Sequence, residues 1–376
     1  MAEYLVIDSD MTKVADAIRA KGGTTEALAW PDGYKTAIEA IQTGGGGGST
    51  GGPLDPVEVY NNTRPYDWLS MPTPADNEMY LLFHIPDGFS SLLAFTVTCT
   101  GNYTVALGSV SDGAFVQMSS TSVASGSKYE AELFADDYGN LTSDGHKQVM
   151  VKVSGTDILT WVPSNHSKKK SPNKFAGWNI VEISCNLPSG TSVACGSSIG
   201  NSALKKLRYF AWYGNNAVTD MTNMFYYCYS LTAIPQMDTS AVTDMLSMFQ
   251  NCYSLTAIPQ MDTSAVTNMN FMFQYCYSLT AIPQMDTSAV TNMTNIFGNC
   301  YSLNSIAFNG SVTGWAGSAV SLKDCSLSHA AIVAFFNSLP TITSAKAITL
   351  TGNPGVSELT DAEKAIATGK GWTLTL

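Results

Sequence analysis

Charge is what this 376-residue chain has least of. Asp, Glu, Lys and Arg together supply only 13% of it, and the 19 basic residues are outnumbered by 30 acidic ones. The shortage of cations is also local: no Lys or Arg lies between Arg208 and Lys323. Phosphate backbones are held by clustered cations, so this region, in a chain of net charge −11, excludes nucleic acid as a partner. Long apolar runs are missing too, and no segment reaches the length needed to span a bilayer, so no membrane insertion is expected. The opening MAEYLVIDSDMTK has neither a charged leader nor an apolar h-region, which argues against a signal peptide and for synthesis in a cytoplasm.

Catalytic signatures are equally scarce. The four histidines, His84, His146, His166 and His329, fall in no H-E-x-x-H, and G-x-S-x-G, P-loop and Rossmann fingerprints are lacking. Glu130, Glu132, Asp136 and Asp137 form an acidic cluster that could hold a glycosidase pair or a calcium ion, but a polar strand edge and turn is the simpler reading. The expectation is no catalytic residue, no metal and no cofactor. Eight cysteines do not make a secreted disulfide framework here, because Cys228, Cys252, Cys276 and Cys300 recur at a fixed period with no histidine beside them. Repeated packing accounts for them as a buried ladder of small hydrophobes.

What the chain has in quantity is repetition. YSLTAIPQMDTSAVT begins at Tyr229, Tyr253 and Tyr277, a period of 24 residues, which is a solenoid-type signal. Between copies stands M-x-x-M-F-x-x-C, starting at Met221, Met245, Met269 and, with Ile296 for the second Met, at Met293. Its apolar positions at i, i+3, i+4 and i+7 predict one face of a two-turn helix. The remaining positions differ from copy to copy and are expected to face solvent. Among them Asn223, Tyr226, Tyr227, Gln250, Asn251, Asn270, Phe271, Gln274, Tyr275, Asn295 and Asn299 are the candidate ligand-binding residues, since aromatics and amides stack and hydrogen-bond at low entropy cost. Ser230–Ile234 reads as a short strand ended by Pro235, with Leu231, Ile234, Met237 and Val242 inward and Asp238-Thr239-Ser240 as a turn.

The predicted organisation is multidomain, mixed α and β. Residues 1–43 read as a small helical head, 44–53 (GGGGGSTGGP) as a linker spanning about 18 Å, and 54–200 as an antiparallel β-sandwich or jelly-roll-like domain. Strand candidates there are Met79–Ile85, Phe95–Cys99, Tyr103–Leu107, Val149–Val153, Ile158–Val162 and Asn179–Cys185. A basic patch, His166 to Lys170 with Lys174, is a contact for an anionic polymer or simply a solvated loop. Residues 201–376 form the solenoid, with repeats over about 218–308 and a cap at 309–376. In the cap, Ala330–Leu339 is read as helix, Ala347–Thr351 as strand and Thr360 to Glu363 as a capping box.

Two stretches resemble known families. The string V-T-x-M-x-x-M-F-x-x-C-x-S-L-T over Val218 to Phe308 is similar to BspA-type leucine-rich repeats of bacterial surface proteins, and the terminal AIATGKGWTLTL resembles the cap found with them. That resemblance implies a leucine-rich-repeat-like solenoid and a role in adhesion. Residues Ile7 to Ile41, with A-D-A-I-R-A-K-G-G and W-P-D-G, resemble a module of tail and structural proteins in phages of Gram-positive bacteria. Together they imply a non-enzymatic, virion-borne receptor-binding protein of a phage or prophage tail. Its partners would be a host surface glycan or protein on one side and tail or baseplate proteins, through residues 1–43, on the other. A homotrimer is implied by analogy with tail fibres. The alternatives are a bacterial cell-surface adhesin and a glycan-degrading tail enzyme with its site in the middle domain.

Overall fold

The longest strands of the computed structural model are two that the sequence divides into four. The structure describes residues 68–87, 89–111, 113–139, 142–143, 145–163, 180–188, 192–193, 204–213, 218–306, 308–309, 319–339 and 341–376. Strand β1 (Glu78–Pro86) is followed by β2 (Ser90–Ser111), β3 (Ala114–Ala124), β4 (Lys128–Phe134), β5 (His146–Pro163), β6 (Ile180–Asn186), β7 (Ser192–Val193) and β8 (Tyr209–Trp212). They form one eight-stranded sheet in the order β3-β2-β5-β1-β6-β8, with β4 also on β2 and β7 on β5. Most pairings are antiparallel; β5–β7 and β6–β8 are parallel.

The expected sandwich is therefore replaced by a single sheet. Phe95–Cys99 and Tyr103–Leu107 are two halves of β2, and Val149–Val153 and Ile158–Val162 two halves of β5. Gly101, at φ +71°, lies between the two halves of β2, where the β2–β5 register shifts between Thr98 and Thr104. Strand β1 is buried along both faces because β5 and β6 flank it and side chains cover it above and below. That is why MYLLFHI is a continuous apolar run rather than an alternating one. Leu81, Phe83 and Ile85 enter the main core, while Tyr80 and Leu82 join Trp68, Met150, Val181 and Tyr209 in a smaller one.

The main core does not stop at the sheet. It runs through Leu204, Leu207 and Phe210 into the repeats and on to the cap. The hinge of this continuity is Phe210 on β8, whose ring meets Phe225 edge-on at 5.0 Å. The described residues all belong to one compact unit, Asp55–Leu376.

In the repeats, residues 24 apart lie over one another: Asp220, Asp244, Asn268 and Asn292 form parallel bridges in succession. The mixed α and β leucine-rich-repeat-like solenoid expected from sequence is not what stands here. No helix forms at M-x-x-M-F-x-x-C, and Ser230–Ile234 is not a strand; the coils are built from turns. Hydrogen bonding gives the reason. Met221, Asn223, Phe225 and Tyr227 donate their N–H groups to carbonyls of the next coil, at Asp244, Leu246, Met248 and Gln250. The intervening Met224, Tyr226 and Cys228 donate back three residues, to Met221, Asn223 and Phe225. Half the donors a helix would use internally are spent between coils. Left-handed backbone at Asn223 and Tyr227 (φ 58° and 63°) completes the reversal, and the same two positions recur at Ser247 and Asn251, Phe271 and Tyr275, and Asn295 and Asn299.

The inward set is as anticipated. Met221, Met224, Phe225, Cys228, Leu231, Ile234, Met237 and Val242 are buried, as are their equivalents in the next two coils. The Phe225, Phe249, Phe273 and Phe297 rings stack at 5.5–5.6 Å and within 8° of parallel. The buried cysteines form the expected ladder, with thiols donating to the phenylalanine carbonyl of the coil before: Cys252 to Phe225, Cys276 to Phe249, Cys300 to Phe273.

Short parallel pairs close the array. Strand β9 (Met285–Asp286) meets β10 (Phe308–Asn309), and β11 (Val320–Ser321), β12 (Lys346–Thr349) and β13 (Trp372–Thr375) make a three-stranded sheet. Cys325 carries the thiol ladder into this cap by donating to Phe297. Helices α1 (His329–Ser338) and α2 (Asp361–Thr368) are the two α-helices among the described residues, and α2 opens on the expected Thr360–Glu363 capping box. The described fold is thus mostly β, and the helical head, the linker and the basic patch at 166–174 lie outside the described residues.

Candidate recognition surface

Stacking at a fixed period turns each position of the repeat into a column on the surface. Four such columns carry the residues singled out from sequence. Asn223, Phe271 and Asn295 share one with Ser247; Tyr227, Asn251, Tyr275 and Asn299 share another. Gln250 and Gln274 belong with Tyr226, and Asn270 follows Thr222 and Leu246. All but Asn251 are half-buried, and Asn251 is buried, its carboxamide oxygen accepting from the Tyr253 hydroxyl at 3.3 Å. The solvent-facing helix surface expected for this set is therefore a shallower, turn-built one.

The left-handed backbone accounts for part of the amide enrichment. Four of the eight left-handed positions are Asn, which tolerates positive φ better than other non-glycine residues. Tyr227, Phe271 and Tyr275 occupy the same conformation as bulky aromatics, where backbone sterics alone give no reason to choose them. The amides also bond to one another. Gln250 Nε2 donates to Gln274 Oε1 at 2.5 Å, and Asn270 Oδ1 accepts the Thr294 backbone N–H at 2.8 Å. Those groups brace neighbouring coils, so the aromatic members of the set are the ones whose presence the scaffold does not explain.

The aromatic members lead to a feature the sequence reading passed over. Tyr229, Tyr253, Tyr277 and Tyr301 stack face to face along the array at 4.4, 4.6 and 5.0 Å, within 13° of parallel. The Lys205 ammonium sits 5.5 Å from the Tyr229 ring centre at one end, and Tyr301 is 51% exposed at the other. Tyr227 meets Tyr229 edge-on at 5.6 Å, Tyr226 meets Tyr227 at 4.3 Å, and Tyr275 meets Tyr277 at 6.2 Å. The structure thus gathers three of the singled-out residues around an invariant column. Its first three members begin the identical YSLTAIPQMDTSAVT string, whose sameness reads as scaffold. Its signal was available in the placement of Tyr directly after the buried Cys in every copy.

Partial burial raises the phenol pKa of Tyr229, Tyr253 and Tyr277, with neighbouring tyrosines adding to it, and holds Tyr226 up to about 12. The ladder therefore presents neutral hydroxyls and ring edges, a surface for hydrogen bonding and apolar contact rather than for charge. On the opposite turn, Asp238 and Asp262 each accept from the serine two residues on, and these bonds lower their carboxyl pKa values. They complete turns of the scaffold.

The acidic cluster on the sheet is likewise committed to local structure. Lys128 pairs with Glu130, Ser90 donates to Glu132 at 2.8 Å, and Asp136 and Asp137 sit in a 3-10 turn. Among the described residues no group of three or more His, Cys, Asp or Glu could hold a metal ion.

Residues 211–315 match the family model described as DUF285, Mycoplasma protein of unknown function. The match is compatible with a BspA-like repeat protein and covers the stacked coils. No curated protein and no solved structure matches the chain.

Proposed function

We propose that this chain is a non-enzymatic receptor-binding component of a phage or prophage tail, which adheres to the surface of a bacterial host through its repeat array. The observation that carries the reading is the tyrosine ladder from Tyr229 to Tyr301 with Tyr226, Tyr227 and Tyr275 at its margin. Tyrosine supplies contact area and a hydrogen bond at the cost of few rotatable bonds, which suits a surface that reads a polymer repeatedly and weakly. Several copies, as in a homotrimer, raise adhesion through effective concentration. The resemblance of Ile7 to Ile41 to phage tail modules supports the virion setting, with residues 1–43 as the tail attachment.

A host glycan or surface protein is the ligand class this reading implies. The test is adhesion of the fluorescently labelled chain to Gram-positive cells and to cell-wall polysaccharide purified from them. Replacing Tyr226 and Tyr227 by Ala is expected to weaken adhesion at least about tenfold while leaving the fold intact. Unchanged adhesion would remove the surface from the account.

A second reading is a bacterial cell-surface adhesin, with which the family description, a Mycoplasma protein of unknown function, is compatible. Antibody labelling separates the two. Phage particles released on prophage induction carry the label under the first reading, and intact uninduced cells under the second.

A further inference from the structure

Beside the first coil, where the sheet gives way to the repeats, a cleft of about 360 Å³ opens. This falls within the size range of small-ligand pockets. Its chemistry is opposite to that of the rest of the array. Lys206 and Arg208 line it, and they stand at the edge of the stretch that lacks Lys and Arg as far as Lys323. No Asp or Glu is among its described lining residues.

The cationic wall is held in place. The Arg208 guanidinium carbon lies 5.9 Å from the ring centres of both Trp68 and Tyr209, within reach of cation–π attraction to each. The Arg208 backbone is tied on both sides, its N–H donating to the Val181 carbonyl and its carbonyl accepting from Thr232. Trp68 is itself wedged against His84, with ring centres 4.2 Å apart, and His84 is fixed by Gln148 at 2.7 Å. The Gln148 carboxamide oxygen accepts the Leu69 N–H, so its nitrogen donates and His84 Nε2 accepts. The Trp68 wall is thereby braced from behind. Ser230, Thr232 and Ser254, supplied by two successive coils, also line the cleft.

We infer that this cleft takes an acidic sugar, a saccharide bearing a carboxylate or phosphate. The oxyanion pairs with Lys206 and Arg208, and the sugar hydroxyls meet Ser230, Thr232 and Ser254. A guanidinium is suited to a planar or tetrahedral oxyanion, and the three hydroxyl-bearing side chains to the hydrogen-bonding groups of a sugar. The inference rests on the surface-recognition reading above and narrows its ligand: the ladder contacts a polymer broadly, and the cleft selects those with acidic residues.

The test is calorimetric titration of the full chain with glucuronic acid, glucose 6-phosphate, glucose and inorganic phosphate. Both acidic sugars are expected to bind saturably, more weakly as salt rises, and at least about tenfold more tightly than glucose. Lys206→Gln and Arg208→Gln are each expected to weaken that binding at least about tenfold. The lysine variant, which leaves the Arg208 and Trp68 stack untouched, guards against a folding artefact through an unchanged melting temperature. Binding of glucose as tight as that of the acids overturns the inference, as does inorganic phosphate equalling glucose 6-phosphate, or no saturable binding of either acid. Adhesion to cells is read separately: its survival when the acids fail to bind sinks the cleft alone, and its loss in tyrosine variants that still bind the acids concerns the ladder alone.

Discussion

Tyr229 and Tyr253 stack with ring centres 4.4 Å apart and planes 7° from parallel, although 24 residues of chain separate them. The relationship is repeated by Tyr253 and Tyr277 at 4.6 Å. It follows from the register of the coils, in which each repeat position lies over its counterpart. A residue that would be one more half-exposed aromatic in a single coil becomes part of a continuous surface when the coil is copied.

The left-handed position at Tyr275 offers a test of strain against function. Asn251 and Asn299 hold the same position in the neighbouring coils, at φ 65° and 61°. Tyr275→Asn should therefore keep or raise stability, by up to about 1 kcal/mol, because Asn adopts this backbone with less penalty. Adhesion should fall, since the aromatic beside Tyr277 is lost. Thermal unfolding and cell binding measured on the same preparation check both halves. A drop in melting temperature would show that Tyr275 serves the fold instead.

The buried thiols give a second expectation. Burial pushes the Cys228, Cys276 and Cys300 thiols up from their usual range, and each of Cys252, Cys276 and Cys300 donates to a backbone carbonyl. Thiolate is the reactive form, so these residues should resist a disulfide reagent in the native state and react once denaturant is added. Cys276→Ala should cost about 1–2 kcal/mol through lost packing in a stack that relaxes little. Mass spectrometry of labelled peptides distinguishes protected from reactive positions.

Acid stability is expected to depend on the cap. Glu363 accepts from the Thr360 backbone N–H, from His329 and from the Thr360 hydroxyl, and these bonds lower its carboxyl pKa to about 2. Its folded value lies below its unfolded one, so its contribution is present above about pH 4.5 and is lost as pH falls toward 2. Glu363→Gln should flatten the loss of stability across that window and leave stability less dependent on pH there. Denaturant melts of both proteins at pH 5, 4 and 3 would reveal it, and identical pH profiles would contradict it.

How far the sequence could be read depends on which physical rule governed each segment. The inward Met, Phe and Cys positions were legible because burial at i, i+3, i+4 and i+7 is demanded by any coil that curls at that pitch. The same pattern misled about the backbone, since a run of turns bonded to its neighbours satisfies it as well as a helix does. Asn223, Asn251, Asn295 and Asn299 carried the missing clue, a preference for left-handed backbone inside segments that a right-handed helix would hold at negative φ. In the sheet, period-two alternation located the strand residues of β2 and β5 but not their continuity, because the pairing of the two strands is irregular between Thr98 and Thr104. The cleft at Lys206 and Arg208 was not legible at all: Trp68, Arg208 and Ser254 come together only through the pairing of β6 with β8 and the stacking of the coils. The candidate surface was legible in part, through the variable tyrosines but not through the invariant column they border.

Adhesion of the full chain carrying Tyr253→Ala and Tyr277→Ala tests the central claim most directly, because it removes the middle of the ladder and leaves the buried Phe and Cys columns in place. Replacing the two rings should lower binding to Gram-positive cells at least about tenfold, with the melting transition still cooperative and the acidic-sugar cleft still occupied on titration. Wild-type adhesion by that variant would contradict the claim that this chain reads a surface through its tyrosines.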